Sequence, residues 1–377
     1  MKIVFTGGGS GGHFYPLIAV AEEINAIVED RNIIKPELYY LSDSEYDNML
    51  LYQNEIEFRR ISVGKLRRYF SLENATDMIR MVTGFPAVLA LMYRLYPDIV
   101  FSKGSYVSMP VCLAARILRI PVFIHDSDAV PGRANVWAGK FAARIGLSFP
   151  EAAEYFDHKE RIAFVGNPIR REVRDTLTHD PHAYFQFVPT MPTVLFLGGS
   201  QGAEVLNSTV LQALPEMLNK YQIIHQVGKG NYEAFKEVLA VELRDHPHAS
   251  RYRLFPSLNA FELRSAAGAA NIIVSRAGTG SIYEIANWEK PSILVPIPES
   301  VSSDQRSNAY AYARTGATEV IEQDNFTSHL LLSEIERILA DATLQEKMRA
   351  GARAFKRPDA ARLIAEELLA MALKHEA

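Results

Sequence analysis

The sequence predicts an α/β protein of two Rossmann-like, doubly wound domains, on three observations. Short β-branched or apolar runs alternate with longer helical patterns, as parallel sheets covered by helices require. The unit of apolar strand, Gly-rich turn and helix occurs twice, opening at Ile3 and again at Val194. The chain has 377 residues, enough for two domains at roughly 100 to 200 residues each.

The first strand, Lys2 to Phe5, runs into Gly7-Gly8-Gly9-Ser10-Gly11-Gly12-His13. A helical pattern follows around Leu17 to Val28, then a strand at Glu37 to Leu41. The apolar stretches 85–101 and 109–124 are interrupted by Arg94 and Asp98 and by Arg116 and Arg119, so neither reads as an unbroken membrane span. The strand Pro121 to Ile124 ends in His125-Asp126-Ser127-Asp128. Asp175 to Pro192 is rich in polar, His and Pro residues without periodicity, which suits a linker near the domain boundary. Val194 to Leu197 restarts the pattern, and the strands Asn271 to Ser275 and Ser292 to Val295 continue it. Pro358 is expected in the first turn of a helix over Asp359 to Leu373. Its stripe of Ala361, Ile364, Ala365, Leu368, Met371 and Ala372 should pack across the domain junction. The expected division is residues 1–165, residues 166–355 and a C-terminal helix at 356–377.

Apolar residues at 48% against 22% charged supply more than one core and exclude a disordered or collagen-like chain. Forty basic and 44 acidic side chains give a net charge of −4, which argues against the whole chain binding nucleic acid. The lone Cys112 can close no internal disulfide or Cys-based zinc site and suits a reducing cytosol. Met1-Lys2 leads directly into an apolar run too short for a signal-peptide core, so secretion is not expected.

A Gly-rich turn that feeds a helix presents unpaired N–H groups at the positive end of the helix dipole, where anionic oxygens bind. The first loop has Gly7-x-Gly9-x-x-Gly12 spacing but no P-loop lysine, which disfavours a P-loop NTPase. Its glycines serve either an anion or close strand-to-helix packing. His13, at the loop mouth, reads as a general base kept neutral by the helix terminus, or as a cap of the turn. Gly198-Gly199-Ser200-Gln201-Gly202 offers a hydroxyl and backbone donors suited to a diphosphate. Arg276-Ala277-Gly278-Thr279-Gly280-Ser281 opens a helix carrying Glu284, whose carboxylate can accept both ribose hydroxyls or can be a plain solvated helix acid. Gln305, in the loop after Pro298, is an amide suited to sugar hydroxyls. Asp126 and Asp128 have the D-x-D spacing that can hold a divalent cation, while a buried Asp126 would instead be a base. The remaining histidines form no H-E-x-x-H zinc motif.

Taken together these residues resemble the MurG family, UDP-N-acetylglucosamine transferases that convert lipid I to lipid II in bacterial peptidoglycan synthesis. The likeness spans most of the chain and rests on six ordered blocks: Gly7 to His13 with Pro16, Gly104 to Pro110, Gly166 to Arg170, Gly198 to Gly202, His225 to Gly230, and Ser275 to Glu284. The resemblance implies a glycosyltransferase B-type fold, its two domains facing a cleft, with the lipid acceptor in the N-terminal domain and the UDP-sugar donor in the C-terminal one. It implies that Ser10, Gly11 and Gly12 reach the donor, that Arg170 contacts the nucleotide and Ser200 the diphosphate. Thr279, Gly280, Ser281, Ile282, Tyr283 and Glu284 would hold the nucleoside, Ala260 would lie where backbone reads uracil, and Gln305 would read the sugar. The implied chemistry is an inverting single displacement with His13 or Asp126 as base and no metal or other cofactor.

Two departures stand out. Where the family usually reads His-Glu-Gln-Asn this chain has His125-Asp126-Ser127-Asp128, so Asp128 replaces a sugar-contacting carboxamide; Ser303 also stands where an aspartate is common. Lys65, Arg67, Arg68 and Arg80 neighbour Met78, Met81, Val82, Phe85, Val88, Leu89, Leu91, Met92 and Leu95, a patch that suits an anionic membrane surface or is one helix's core face with a charged rim. The lipid-linked acceptor favours the former, at the cytoplasmic face of the inner membrane. Two other functions fit the same fold: a UDP-N-acetylglucosamine 2-epimerase, and a non-catalytic nucleotide-sugar-binding subunit.

Overall fold

The computed structural model describes residues 1–8, 10–62, 73–199, 203–299 and 303–376, and of residues 73–82, 303–304 and 375–376 the backbone alone. The chain forms two units, Met1–Arg170 with Arg357–Ala377, and Arg171–Lys356.

The first unit is an all-parallel sheet of β1 (Lys2–Thr6), β2 (Glu37–Ser42), β3 (Ile56–Arg60), β4 (Ile99–Ser102), β5 (Val122–Asp126), β6 (Arg144–Leu147) and β7 (Ile162–Phe164), in the order β3-β2-β1-β4-β5-β6-β7. Its helices are α1 (Gly11–Arg31), α2 (Asn48–Gln53), α3 (Glu73–Leu95), α4 (Ser108–Ile117) and α5 (Arg133–Gly139). Successive strand residues point to opposite faces, so Ile3 and Phe5 enter one core with α1 while Val4 enters the other with α4. With both faces covered, β1 reads as a continuous apolar run rather than an alternating one. The strand order reverses between β1 and β4, which makes the C-terminal ends of these two strands the switch point where ligands of such sheets bind.

The second unit repeats the plan with β8 (Thr193–Leu197), β9 (Gln222–Gln226), β10 (Tyr252–Phe255), β11 (Ile272–Ser275), β12 (Ser292–Leu294) and β13 (Thr318–Val320), in the order β10-β9-β8-β11-β12-β13. The helices are α6 (Arg171–Arg174), α7 (Pro181–Phe185), α8 (Glu204–Met217), α9 (Tyr232–Glu242), α10 (Ala260–Ala269), α11 (Thr279–Asn287), α12 (Ser303–Ala313), α13 (Ser328–Ala340) and α14 (Ala342–Phe355). The reversal falls between β8 and β11.

Three expectations are corrected. The first unit ends after Arg170 rather than Val165, because Gly166 and Asn167 are bonded into it: Gly166 O faces His125 Nε2 at 2.8 Å, and Asn167 Oδ1 accepts from Ser127 Oγ at 2.9 Å. Residues 175–192 are not a linker. They belong to the second unit, where the Gln222 side chain accepts from Val188 N–H and donates to Val188 O and Met191 O, and Phe185 and Phe187 are buried. The C-terminal helix α15 (Ala360–Glu376) starts two residues after Pro358 and belongs to the first unit, its Ile364, Ala365, Leu368 and Ala372 packed in one core with Leu17, Ile18 and Ile24 of α1.

No helix among the described residues is long and apolar enough to cross a membrane. In the basic-apolar patch, Lys65, Arg67 and Arg68 lie outside the described residues, as do the side chains of Met78, Arg80, Met81 and Val82. Val88 and Met92 are buried in the core that α3 shares with α4, and Phe85, Leu89, Leu91 and Leu95 pack against it. This part of the expected membrane face is a core face, as a helix covering a sheet requires.

Candidate functional site

In the first unit the ends of β1, β4 and β5 bring together residues from three of the singled-out segments. Ser10 is the N-cap of α1, yet its hydroxyl caps no backbone group; Oγ lies 3.0 Å from His13 Nδ1 instead. The first-turn N–H groups of Gly11 and Gly12 therefore keep their outward donor capacity. A Cβ at Gly11 would stand 2.7 Å from Tyr46 Oη and 2.8 Å from Tyr15 Cε2, so any larger residue would have to push these two side chains aside. Partial burial first, and the Lys103 charge second, push the His13 imidazole down to about 4, so it is neutral at physiological pH. Gly9 lies outside the described residues.

Behind this loop is a buried polar network. His125 is fully buried and held well below its ordinary value by burial and by Lys103; it donates Nε2–H to Gly166 O, so Nδ1 accepts from Lys103 Nζ at 2.5 Å. Lys103 also donates to Ser127 Oγ at 2.5 Å. Burial lowers the Lys103 ammonium, against the opposing pull of Asp126 and Asp128. Asp126 is only 2% exposed, and its oxygens accept from Asp128 N–H (3.0 Å), Gly132 N–H (3.2 Å) and Asn135 Nδ2 (2.8 Å). Burial raises its carboxyl and Asp128 adds to the rise. With three N–H donors from the loop that leads into α5, Asp126 holds that loop's shape.

The same hydrogen bonds bear on the D-x-D reading, since a cation at Asp126 would have to displace three N–H donors. Among the described residues no three His, Cys, Asp or Glu side chains gather as a metal site. Asp128 itself is half-buried at the rim. Arg170, the last residue of the first unit, lays its guanidinium over the Tyr15 ring at 4.4 Å.

Gly104 supports the network from β4. Its φ of +85° favours glycine, and a Cβ would sit 2.8 Å from Asn135 Nδ2. Gly104→Ala is expected to destabilise the chain by about 2–4 kcal/mol, from left-handed strain plus displacement of Asn135. Chemical denaturation measures this, and a loss under 1 kcal/mol would mean that Asn135 moves aside freely.

In the second unit the switch-point loops follow β8 and β11. Ser200, Gln201 and Gly202 lie outside the described residues, while Gly198 N–H bonds Gln226 O at 3.1 Å and so fixes where the β8 loop leaves the sheet. Gly278 caps α11 without a side chain, and a Cβ at Gly278 or Gly280 would meet nothing within 4 Å, which leaves the first-turn donors of α11 open to approach. The Thr279 hydroxyl accepts from Asn308 Nδ2 at 3.1 Å. Arg276 fixes the loop by donating to Val295 O and Gln323 Oε1.

Of the six residues from Thr279 to Glu284, the side chains of Ile282 and Tyr283 are fully buried, Tyr283 against Phe355, and Thr279 is buried as well. The helical repeat turns every third and fourth side chain inward. Ser281 and Glu284 are half-buried on the outer side. Gln305 accepts from Ile297 N–H at 3.3 Å, which commits its carbonyl oxygen and leaves its NH₂ as the donor; Ser303 is described by its backbone alone. Ala260 is the first residue of α10, behind the Asn259 and Glu262 capping box, with its methyl buried and its N–H a first-turn donor.

Sequence reasoning passed over Lys103, Asn135 and Asn167. Lys103 and Asn167 sit inside or beside blocks it did single out, and the glycine after Lys103 was the available signal.

The comparisons with known proteins agree with this layout. Residues 3–147 match the glycosyltransferase family 28 N-terminal domain and residues 193–364 its C-terminal domain. A Bacillus thuringiensis UDP-N-acetylglucosamine–N-acetylmuramyl-(pentapeptide) pyrophosphoryl-undecaprenol N-acetylglucosamine transferase is 35% identical over 338 residues, 89% of this chain and 91% of its own. The crystal structure of Acinetobacter baumannii MurG superposes with a TM-score of 0.73 at 23% identity, covering 98% of this chain and 99% of that one. A Neisseria meningitidis UDP-GlcNAc 2-epimerase bound to UDP-GlcNAc has a TM-score of 0.69 at 14% identity, covering 98% of this chain and 100% of its own, a likeness of fold alone.

Proposed function

Because the chain belongs to glycosyltransferase family 28, in the branch of the lipid I N-acetylglucosamine transferases, we propose that it carries out that branch's reaction. N-acetylglucosamine moves from UDP-N-acetylglucosamine to the C4 hydroxyl of the muramyl sugar of lipid I, giving lipid II. The observation that carries the chemistry is the Ser10–His13 pair at the start of α1, with a neutral imidazole at the switch point of the first sheet. In the productive tautomer Nδ1–H donates to Ser10 Oγ and Nε2 takes the acceptor's C4 proton. The alkoxide then attacks the anomeric carbon from the face opposite UDP, which inverts the centre.

The second unit binds UDP-N-acetylglucosamine. Glu284 accepts the ribose hydroxyls, the first-turn N–H groups of α11 meet the departing diphosphate, and the Gln305 NH₂ donates to the sugar. The charge on the leaving group is met by backbone dipoles, so the reaction needs no metal. Attack on a lipid-linked acceptor places the protein peripherally on the cytoplasmic face of the inner membrane.

The epimerase likeness rests on 14% identity, against 35% over nine-tenths of the chain for the transferase. In the altered cluster 125–128 the side chains of His125, Asp126 and Ser127 are all bonded, with donors on both Asp126 oxygens, which speaks against a decayed, non-catalytic site. The deciding experiment is UDP release from UDP-N-acetylglucosamine by the purified chain in EDTA, with and without a short-chain lipid I analogue. Acceptor-dependent release is expected. Donor binding without release would sink the transferase reading, and a requirement for added Mg²⁺ would sink the metal-free one.

A further inference from the structure

Lys103 follows β4 at the point where the first sheet reverses, and only 2% of it is exposed. A lysine is seldom buried unless partners hold its charge. Here Nζ donates to His125 Nδ1 and Ser127 Oγ, and the Ser127 hydroxyl donates in turn to Asn167 Oδ1 at 2.9 Å. One cation thus ties the ends of β4 and β5 to the Gly166-Asn167 segment after β7. Gly7 lies between Lys103 and His13: a Cβ placed on it would stand 3.1 Å from Lys103 Cβ and 3.7 Å from His13 Cβ.

We propose that Lys103 is a positioning residue for the transfer, fixing His125 and Ser127 behind the α1 N-terminus and holding a positive charge against His13 so that the imidazole stays free to accept a proton. This rests on the reading of His13 as the base. The groups that set the balance are few. His13 faces Ser10 on its own cap and Lys103 from the β4 end, while Lys103 faces His125, Asp126 and Asp128 from the β5 loop. The two aspartates favour the ammonium and burial opposes it, so the charge on Lys103 is the adjustable element. Lys103 makes no hydrogen bond to His13 in this arrangement, so its effect runs through the field and the packing around Gly7.

The test is an ¹⁵N NMR titration of the His13 imidazole in the full chain, assigned by its loss in His13→Gln, alongside the pH profile of kcat/KM. Native His13 should titrate well below 6.5, its ordinary value. In Lys103→Met the titration should move up by about one unit and the acid limb of kcat/KM with it, while loss of the contacts to His125 and Ser127 lowers kcat ~10-fold and the donor KM stays within about twofold. A folded Lys103→Met whose titration and acid limb do not move, even if kcat falls, reduces Lys103 to a structural role and overturns the proposal. Lys103→Gln carries the same comparison if the methionine variant does not fold. The native titration needs no variant, and a value near 6.5 overturns the proposal by itself. If the native chain shows no acceptor-dependent turnover but Lys103→Met still shifts His13, the transferase reading fails while the hold of Lys103 on His13 stands.

Discussion

Replacing His13 by glutamine is expected to lower kcat by ~10²–10⁴-fold, the usual contribution of a positioned general base, while leaving UDP affinity unchanged. Glutamine keeps a hydrogen-bonding side chain of similar reach at the mouth of the loop but cannot take a proton. The effect should therefore fall on turnover and not on the second unit's binding of nucleotide. The pH dependence has a definite sign. Burial and Lys103 depress the folded-state value of His13 from 6.5 to about 4, so the neutral, active form persists as pH falls and is lost only near 4. In the same window the unfolded chain takes up a proton that the folded chain refuses. The contribution of His13 to stability is thus full above 6.5 and declines as pH falls toward 4. Steady-state kinetics from pH 4 to 8 check this. A kcat within threefold of native in His13→Gln removes it as the base.

The second large effect is expected at Glu284. If its carboxylate accepts both ribose hydroxyls, Glu284→Gln loses charge-assisted hydrogen bonds of about 1.5–3 kcal/mol, which raises the donor KM by ~10–100-fold and changes kcat little. The sharper readout compares UDP with 2′-deoxy-UDP by calorimetry. The native chain should prefer UDP, and the variant should bind the two almost equally. Equal preference in both chains would return Glu284 to the class of solvated helix acids, where its place in the second turn of α11 would also be ordinary.

The two glycine loops and the α/β alternation were legible in the sequence because each depends on neighbours along the chain: a strand, a turn that only small residues fit, and a helix start. What was not legible depends on the order of strands in the sheet. Lys103, His125, Ser127 and Asn167 meet only because β4 lies beside β5 and the chain returns through β6 and β7. Nothing along the chain beside Lys103 shows that its side chain is buried. Likewise nothing local shows that Asn135 folds back to donate to Asp126. The stretch 175–192 has a linker's composition, but one buried glutamine, Gln222, binds it to the second sheet. The burial of the Ile282 and Tyr283 side chains follows from the register of α11 on its sheet.

The return of α15 to α1 makes the first unit discontinuous, with the whole of the second unit inserted before its last helix. On the ribosome, then, the second unit is complete and able to fold while the first still lacks Ile364, Ala365, Leu368 and Ala372 from its core. Until the last helix emerges, the part of α1 that it covers stands open, so the nascent chain passes through a stage in which its first unit is the unfinished one.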